Sequence, residues 1–122
     1  MAWGNFTELT VWNKSMELTD EIYRLIRLLP DEERFCLKDQ LRRAVVSIPS
    51  NIAEGHGREN AREFRRFILI AKGSQAEVET QLYICVRQHY LKKTDIEAAI
   101  TLCHEIGSMC MSLARKLNLA DA

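Results

Sequence analysis

The chain is predicted to fold as an all-α, antiparallel up-down-up-down four-helix bundle, and three observations carry that prediction. Apolar residues recur at steps of three and four in four separate segments. Strand-like alternation of apolar and polar residues is absent. Only two prolines and five glycines punctuate 122 residues, so connections are short and consecutive helices run antiparallel. That length suits a single domain, residues 1–122, around one core.

The first helix is expected over about 11–29, where Leu18, Ile22, Leu25 and Leu29 form one seam. Pro30 stops it, because proline disfavours the helical conformation of the residue before it. Phe6 and Leu9 precede this helix and are expected to pack back onto it. The second helix, about 33–54, opens near Asp31, Glu32 and Glu33, which suit a helix N-terminal dipole. Leu37, Leu41, Ala44, Ile48 and Ile52 form its apolar face. Pro49 cannot donate to the carbonyl of Val45, so a kink is expected there. Gly55 and Gly57 are expected to end the helix.

The third helix, about 61–90, starts with the capping box Asn60-Ala61-Arg62-Glu63. Phe64, Ile68, Ala71, Val78, Leu82 and Cys85 line its seam. The fourth, about 95–117, starts with a second box, Thr94-Asp95-Ile96-Glu97. Ile96, Ala99, Cys103, Ile106, Cys110, Leu113 and Leu117 then follow a heptad seam. Residues 118–122 read as a frayed tail.

Two stripes go beyond an ordinary bundle. At about 100° per residue, Leu69, Gly73, Ala76, Thr80 and Ile84 lie roughly opposite the core seam of the third helix. A helix apolar on both sides is normally buried on both sides, and the small residues in the middle of the stripe admit a close neighbour. The stripe predicts a homo-oligomer interface. On the second helix, Gln40, Arg43, Ser47, Asn51 and Glu54 form a polar stripe beside the apolar face. It reads either as a ligand or nucleic-acid groove or as a hydrogen-bonded layer that sets helix register. One Arg against one Glu is self-neutralising, which favours the second. Ser47 and Asn51 stand near the backbone groups that Pro49 loosens.

Lys plus Arg number 17, as do Asp plus Glu, so the net charge is zero. A general nucleic-acid coat protein would be basic. A local cluster remains possible: Arg58, Arg62, Arg65, Arg66 and Lys72 gather near the glycine loop, against Glu59 and Glu63. They read as an RNA or DNA contact or as ion-paired surface. The four cysteines, Cys36, Cys85, Cys103 and Cys110, form no metal or C-x-x-C spacing, and they read as thiols kept reduced in the cytoplasm. Met1 to Asn5 show no leader pattern. The longest apolar run, Phe67 to Ala71, falls far short of the ~20 residues that span a bilayer.

Catalytic spacing is missing as well. No Glu-x-x-His pair exists for a di-iron bundle, and no hydrolase or phosphate-loop signature is found. Glu77 and Glu79 point about 160° apart on one helix, so they share no face, and one is expected to pair with an arginine across the bundle. The side chains of Cys103 and His104 diverge. The expectation is a non-enzymatic scaffold or adaptor with no catalytic residue, metal or cofactor. The alternative is an RNA/DNA-binding accessory protein.

Several motifs carry a family resemblance. They are Ser47-Ile-Pro-Ser-Asn-Ile-Ala-Glu-Gly55, Val11-Trp12-x-x-Ser15, and Gln40-Leu-Arg-Arg-Ala44. Glu63-Phe64, Ile70-Ala-Lys-Gly-Ser74 and Glu77-x-Glu-Thr-Gln-Leu82 follow in order. Together they resemble the four-helix-bundle family encoded within 23S rRNA intervening sequences. Cys36 stands where the family usually has a glycine or another small residue before the helix-two leucine. The resemblance implies a bundle that assembles as a ring-like homopentamer, with no established molecular activity. The fold is also similar to the accessory protein of diversity-generating retroelements. That protein is a strongly basic pentamer that binds a reverse transcriptase and nucleic acid, whereas this chain is neutral.

Overall fold

The structure, a computed structural model, describes residues 3–121. A 3-10 turn, Phe6–Glu8, leads into α1, Thr10–Ile26. A second turn, Asp31–Glu33, precedes α2, Leu37–Gly57, which is followed by α3, Ala61–Arg87, and α4, Lys93–Asp121. Among the described residues each helix packs on its sequence neighbours, and α1 closes the square against α4. The α1–α2 and α3–α4 flanks therefore lie on opposite sides of an all-α four-helix bundle. No described helix is long and apolar enough to cross a membrane.

The seams read from periodicity form the core. Leu18, Ile22, Leu25, Leu41, Ile48, Ile52, Ile68, Val78, Leu82, Ala99, Cys103, Ile106 and Cys110 have no exposed surface. Phe6 packs edge-on against Trp12, with ring centroids 5.4 Å apart, and Leu9 is half-buried. The three core cysteines are free thiols, and Cys36 is free and exposed.

The ends of the helices differ from expectation for identifiable reasons. α1 stops at Ile26, because the chain tightens through Leu28 N–H to Leu25 (2.9 Å) and Leu29 N–H to Ile26 (3.2 Å) ahead of Pro30. Asp31, Glu32 and Glu33 form their own turn, and α2 begins only after Cys36, whose backbone (φ −119°, ψ −98°) is not helical. Pro49 lies buried inside α2, which runs on without a break.

Gly55 and Gly57 do not end α2, which continues through both. The left-handed residue of the turn is Glu59 (φ 49°). Gly55 is small for another reason. A Cβ there would collide with Phe67 Cβ and lie 3.1 Å from Phe67 Cγ and 3.2 Å from Phe64 Cδ1. Glycine is what brings α2 and α3 together at this end.

Half of the first capping box forms: Asn60 Oδ1 accepts from Glu63 N–H at 3.0 Å, while the Glu63 carboxylate turns to Arg66 instead. α3 closes at Arg87 with His89 in the left-handed region (φ 64°). The second box is displaced. α4 starts at Lys93, and Asp95 Oδ2 accepts from Lys92 N–H at 2.7 Å. The expected frayed tail is helical as far as Asp121, and Ala122 lies outside the described residues, as do Met1 and Ala2.

Candidate functional site

Side-chain direction on α3 creates the main candidate surface. Phe64, Phe67, Ile68, Ala71, Val78, Leu82 and Cys85 point inward. The helical repeat then turns Leu69, Gly73, Ala76, Thr80 and Ile84 outward, and all five are exposed. Leu69 keeps 36% of its surface and Ile84 40%, with Ile70 (41%) and Tyr83 (44%) beside them. Nothing lies within 4 Å of a Cβ added at Gly73. Four large apolar side chains thus flank a shallow centre of small residues on one helix.

The polar stripe of α2 divides. Gln40 and Ser47 face α3: Gln81 Nε2 reaches Gln40 Oε1 at 3.5 Å, and the Ser47 and Ser74 hydroxyls are 2.6 Å apart. Ser47 Oγ also donates to the Ala44 carbonyl at 2.8 Å, and Asn51 Nδ2 donates to the Ser47 carbonyl at 2.7 Å. These bonds serve carbonyls next to the one Pro49 leaves open, at Val45. Arg43 and Glu54 instead point to solvent, where they pair along their own helix with Asp39 (3.0 Å) and Arg58 (3.4 Å). The inner half of the stripe is a helix–helix layer, while the Arg43 and Glu54 of the charge argument lie outside it and do not pair with each other.

The basic cluster is largely committed within the chain. Arg58 pairs with Glu54, and Arg66 pairs with Glu63 at 3.0 Å. Both guanidinium groups also lie over the Phe67 ring, 5.2 and 4.4 Å from its centroid. The hydrogen bond from Arg66 holds the Glu63 carboxyl below its ordinary range. Arg65 Nε donates to the Ala114 carbonyl at 3.2 Å. Arg62 and Lys72 make no ion pair among the described residues.

Glu79 is not paired with an arginine. Its Oε1 accepts from Gln75 Nε2 (2.8 Å), and its Oε2 accepts from the Tyr83 hydroxyl (3.0 Å) and lies 3.1 Å from His104 Nε2. Three neighbours from α3 and α4 meet the carboxylate before any cation across the bundle can. Gln75 itself is buried, and a Cβ at Gly107 would stand 2.9 Å from its Oε1. Gln81 and His56 are also buried. His56 Nε2 lies 2.6 Å from the Trp3 carbonyl and so anchors the N-terminal segment. Sequence reading missed all three. Gln75 and Gln81 sit one helical step from seam residues, but a glutamine there reads as boundary.

The three buried cysteines are not activated as nucleophiles. Desolvation pushes the Cys85 thiol up to about 11, Cys103 to about 12 and Cys110 to about 11. Those three sulfurs stay protonated at neutral pH. Cys103 is buried while His104 is exposed, so the two side chains diverge as their helical positions require. Among the described residues no cluster of three or more His, Cys, Asp or Glu could hold a metal ion.

Fold and surface together define a class: an antiparallel four-helix bundle with one polar helix–helix seam and an apolar outer face on its third helix. Residues 7–112 match the family described as 23S rRNA-intervening sequence protein, and the chain belongs to that family. It is similar to a crystal structure of a protein of unknown function, from the S23 ribosomal protein family of Bacteroides thetaiotaomicron. Identity is 26% and the TM-score 0.79, over 86% of this chain and 98% of that one. Among curated proteins, none matches the chain.

Proposed function

We propose that the chain is a non-enzymatic, cytoplasmic subunit of a homo-oligomeric scaffold or adaptor. In this reading the outer face of α3 docks against a second copy. The observation that carries it is the exposure of Leu69, Ile70, Tyr83 and Ile84 around Gly73, Ala76 and Thr80. A contiguous apolar patch on a soluble surface marks an interaction site. Its small centre lets a neighbouring backbone approach closely, and the family resemblance favours a ring of five.

Light scattering on the purified chain tests this reading. A mass that is a multiple of 14.1 kDa supports it, and a monomer at micromolar concentration overturns it. Gly73→Ala separates folding from assembly. Alanine at this open helical position is expected to raise the thermal stability of the isolated bundle by about 0.5–1 kcal/mol. The added methyl obstructs a close-packed neighbour, so the same variant should dissociate at higher concentration in sedimentation. Equal assembly by Gly73→Ala and wild type would place the contact elsewhere.

A second reading is an RNA- or DNA-binding accessory protein, similar to the pentamer that binds a retroelement reverse transcriptase. It is supported by a surface cleft of about 580 Å³ lined by Arg62, Arg65, Arg66 and Asn118 together with Glu63, Leu69 and Ile70. With Arg62, Arg65 and Lys72 free of ion pairs among the described residues, each subunit should neutralise about three phosphates, giving a slope near −2 in log affinity against log salt for single-stranded DNA. A gel shift with rRNA fragments or single-stranded DNA that weakens with salt and vanishes in Arg62→Glu/Arg66→Glu favours this reading. An unshifted probe at physiological salt leaves the scaffold ahead.

A further inference from the structure

We propose that Phe35 is a knob that inserts into a cleft between α3 and α4 of a second copy, making the subunit contact head-to-tail. The proposal rests on the assembly reading above and names a contact within it. Phe35 is 83% exposed, more than any other large apolar residue described. It stands on the α1–α2 connection, with Arg34 stacked 5.3 Å from its ring centroid. An exposed aromatic ring held by a neighbouring guanidinium is the kind of anchor that dominates interface energetics.

The receptor lies where α3 gives way to α4. Tyr83, Val86, Ile96 and Ile100 line a cleft of about 640 Å³ between α3 and α4, with Arg87 and Lys93 on its rim. That volume accommodates a phenyl ring. Ile96 is buried and Val86 and Ile100 are half-buried, so the floor is apolar.

Knob and cleft lie toward the same end of the bundle. Gln40 of α2 is level with Gln81 of α3, 3.5 Å away. Counting back three residues along α2 and forward three along the antiparallel α3 brings Leu37, where α2 begins, level with Ile84, and Phe35 stands on the turn just before it. The hydrogen bond from the Tyr90 hydroxyl to Glu33 Oε2, at 3.1 Å, ties the two connections together at this end. A side-by-side neighbour with parallel axes therefore carries its Phe35 at the cleft end of the bundle.

Charge matches as well. Asp31, Glu32 and Glu33 outnumber Arg34 and Lys38 around the knob. Arg87 and Lys93 outnumber Glu97 around the cleft, and neither cation has an ion-pair partner among the described residues. Complementary rims of this kind set register and suppress wrong pairings. The cleft also joins the outer stripe of α3, because Tyr83 borders Ile84. A contact that seats one copy's knob in the next copy's cleft is heterologous: every copy offers one knob and one cleft, and the chain of contacts closes only as a ring.

Phe35→Ala and photo-cross-linking from p-benzoylphenylalanine at position 35 test the pairing. Phe35 touches little of its own bundle, so Phe35→Ala should keep wild-type helicity and melting. Its subunit dissociation constant in sedimentation should rise about tenfold or more. The cross-link should map to residues 83–100 of a second copy. Unchanged assembly in Phe35→Ala overturns the pairing, and so does a cross-link that fails to form or maps elsewhere. In either case a wild-type oligomer keeps the assembly reading intact. A monomeric wild type overturns both.

Discussion

Leu69→Glu combined with Ile84→Glu is expected to give a folded particle of about 14.1 kDa in place of the assembly. Both positions are exposed in the single chain, and substitutions at such positions change folding stability by about 0.5 kcal/mol or less. Far-UV circular dichroism should therefore be unchanged. At a dry interface each carboxylate must be desolvated without a partner, which costs several kcal/mol. Two such penalties, fifteen residues or about 22 Å apart along α3, exceed what a modest subunit contact can offset. Sedimentation velocity at 10–100 times the wild-type dissociation concentration reads the result. An intact oligomer carrying both glutamates would show that α3 faces solvent in the assembly.

Gly55→Ala should be the most damaging single-methyl change in the bundle. Replacing a helical glycine with alanine normally stabilises by up to about 1 kcal/mol. Here the methyl collides with Phe67 Cβ. A Cβ is fixed to its backbone, so no rotamer change relieves the clash, and α2 and α3 must move apart where Phe64 and Phe67 pack. Overpacking of this sort costs about 3 kcal/mol, which leaves a net loss of about 2 kcal/mol and a melting point lower by about 10 °C. Gly57→Ala is the control, because nothing lies within 4 Å of a Cβ at that position. It should melt at, or up to about 5 °C above, the wild-type temperature. Equal melting of the two variants would mean that the α2–α3 approach tolerates a side chain.

The contrast between these two glycines marks the limit of sequence reading here. Both were expected to end α2, since glycine near the close of an apolar pattern commonly does so. The helix passes through both, and only Gly55 is held by a neighbour. Likewise one of Glu77 and Glu79 was expected to pair with an arginine across the bundle; neither does among the described residues, and Glu79 accepts from Gln75 and Tyr83, with His104 alongside. The clustered arginines read either as a phosphate contact or as ion-paired surface, and spacing alone did not choose; Arg58 and Arg66 are paired with Glu54 and Glu63 one turn away. The outer stripe from Leu69 to Ile84 was legible, because a face of a helix follows from its repeat alone.

Each helix's inward and outward residues were thus determined by the order of amino acids, since a rise and rotation common to all helices converts spacing into direction. That reasoning yielded four elements, their antiparallel order and most of the core, but not Val11, Ile26, Val45, Phe67, Leu91 or Ala114, and it placed Leu113, which is half-buried, where Ala114 packs. Only the tertiary structure decided how closely two helices approach at Gly55, which partners saturate Glu79, and that Phe35 and the Ile96–Ile100 cleft lie toward the same end of the bundle. Those outcomes depend on atoms far apart in the chain. Their separation is set by the packing of whole helices, which local periodicity does not encode.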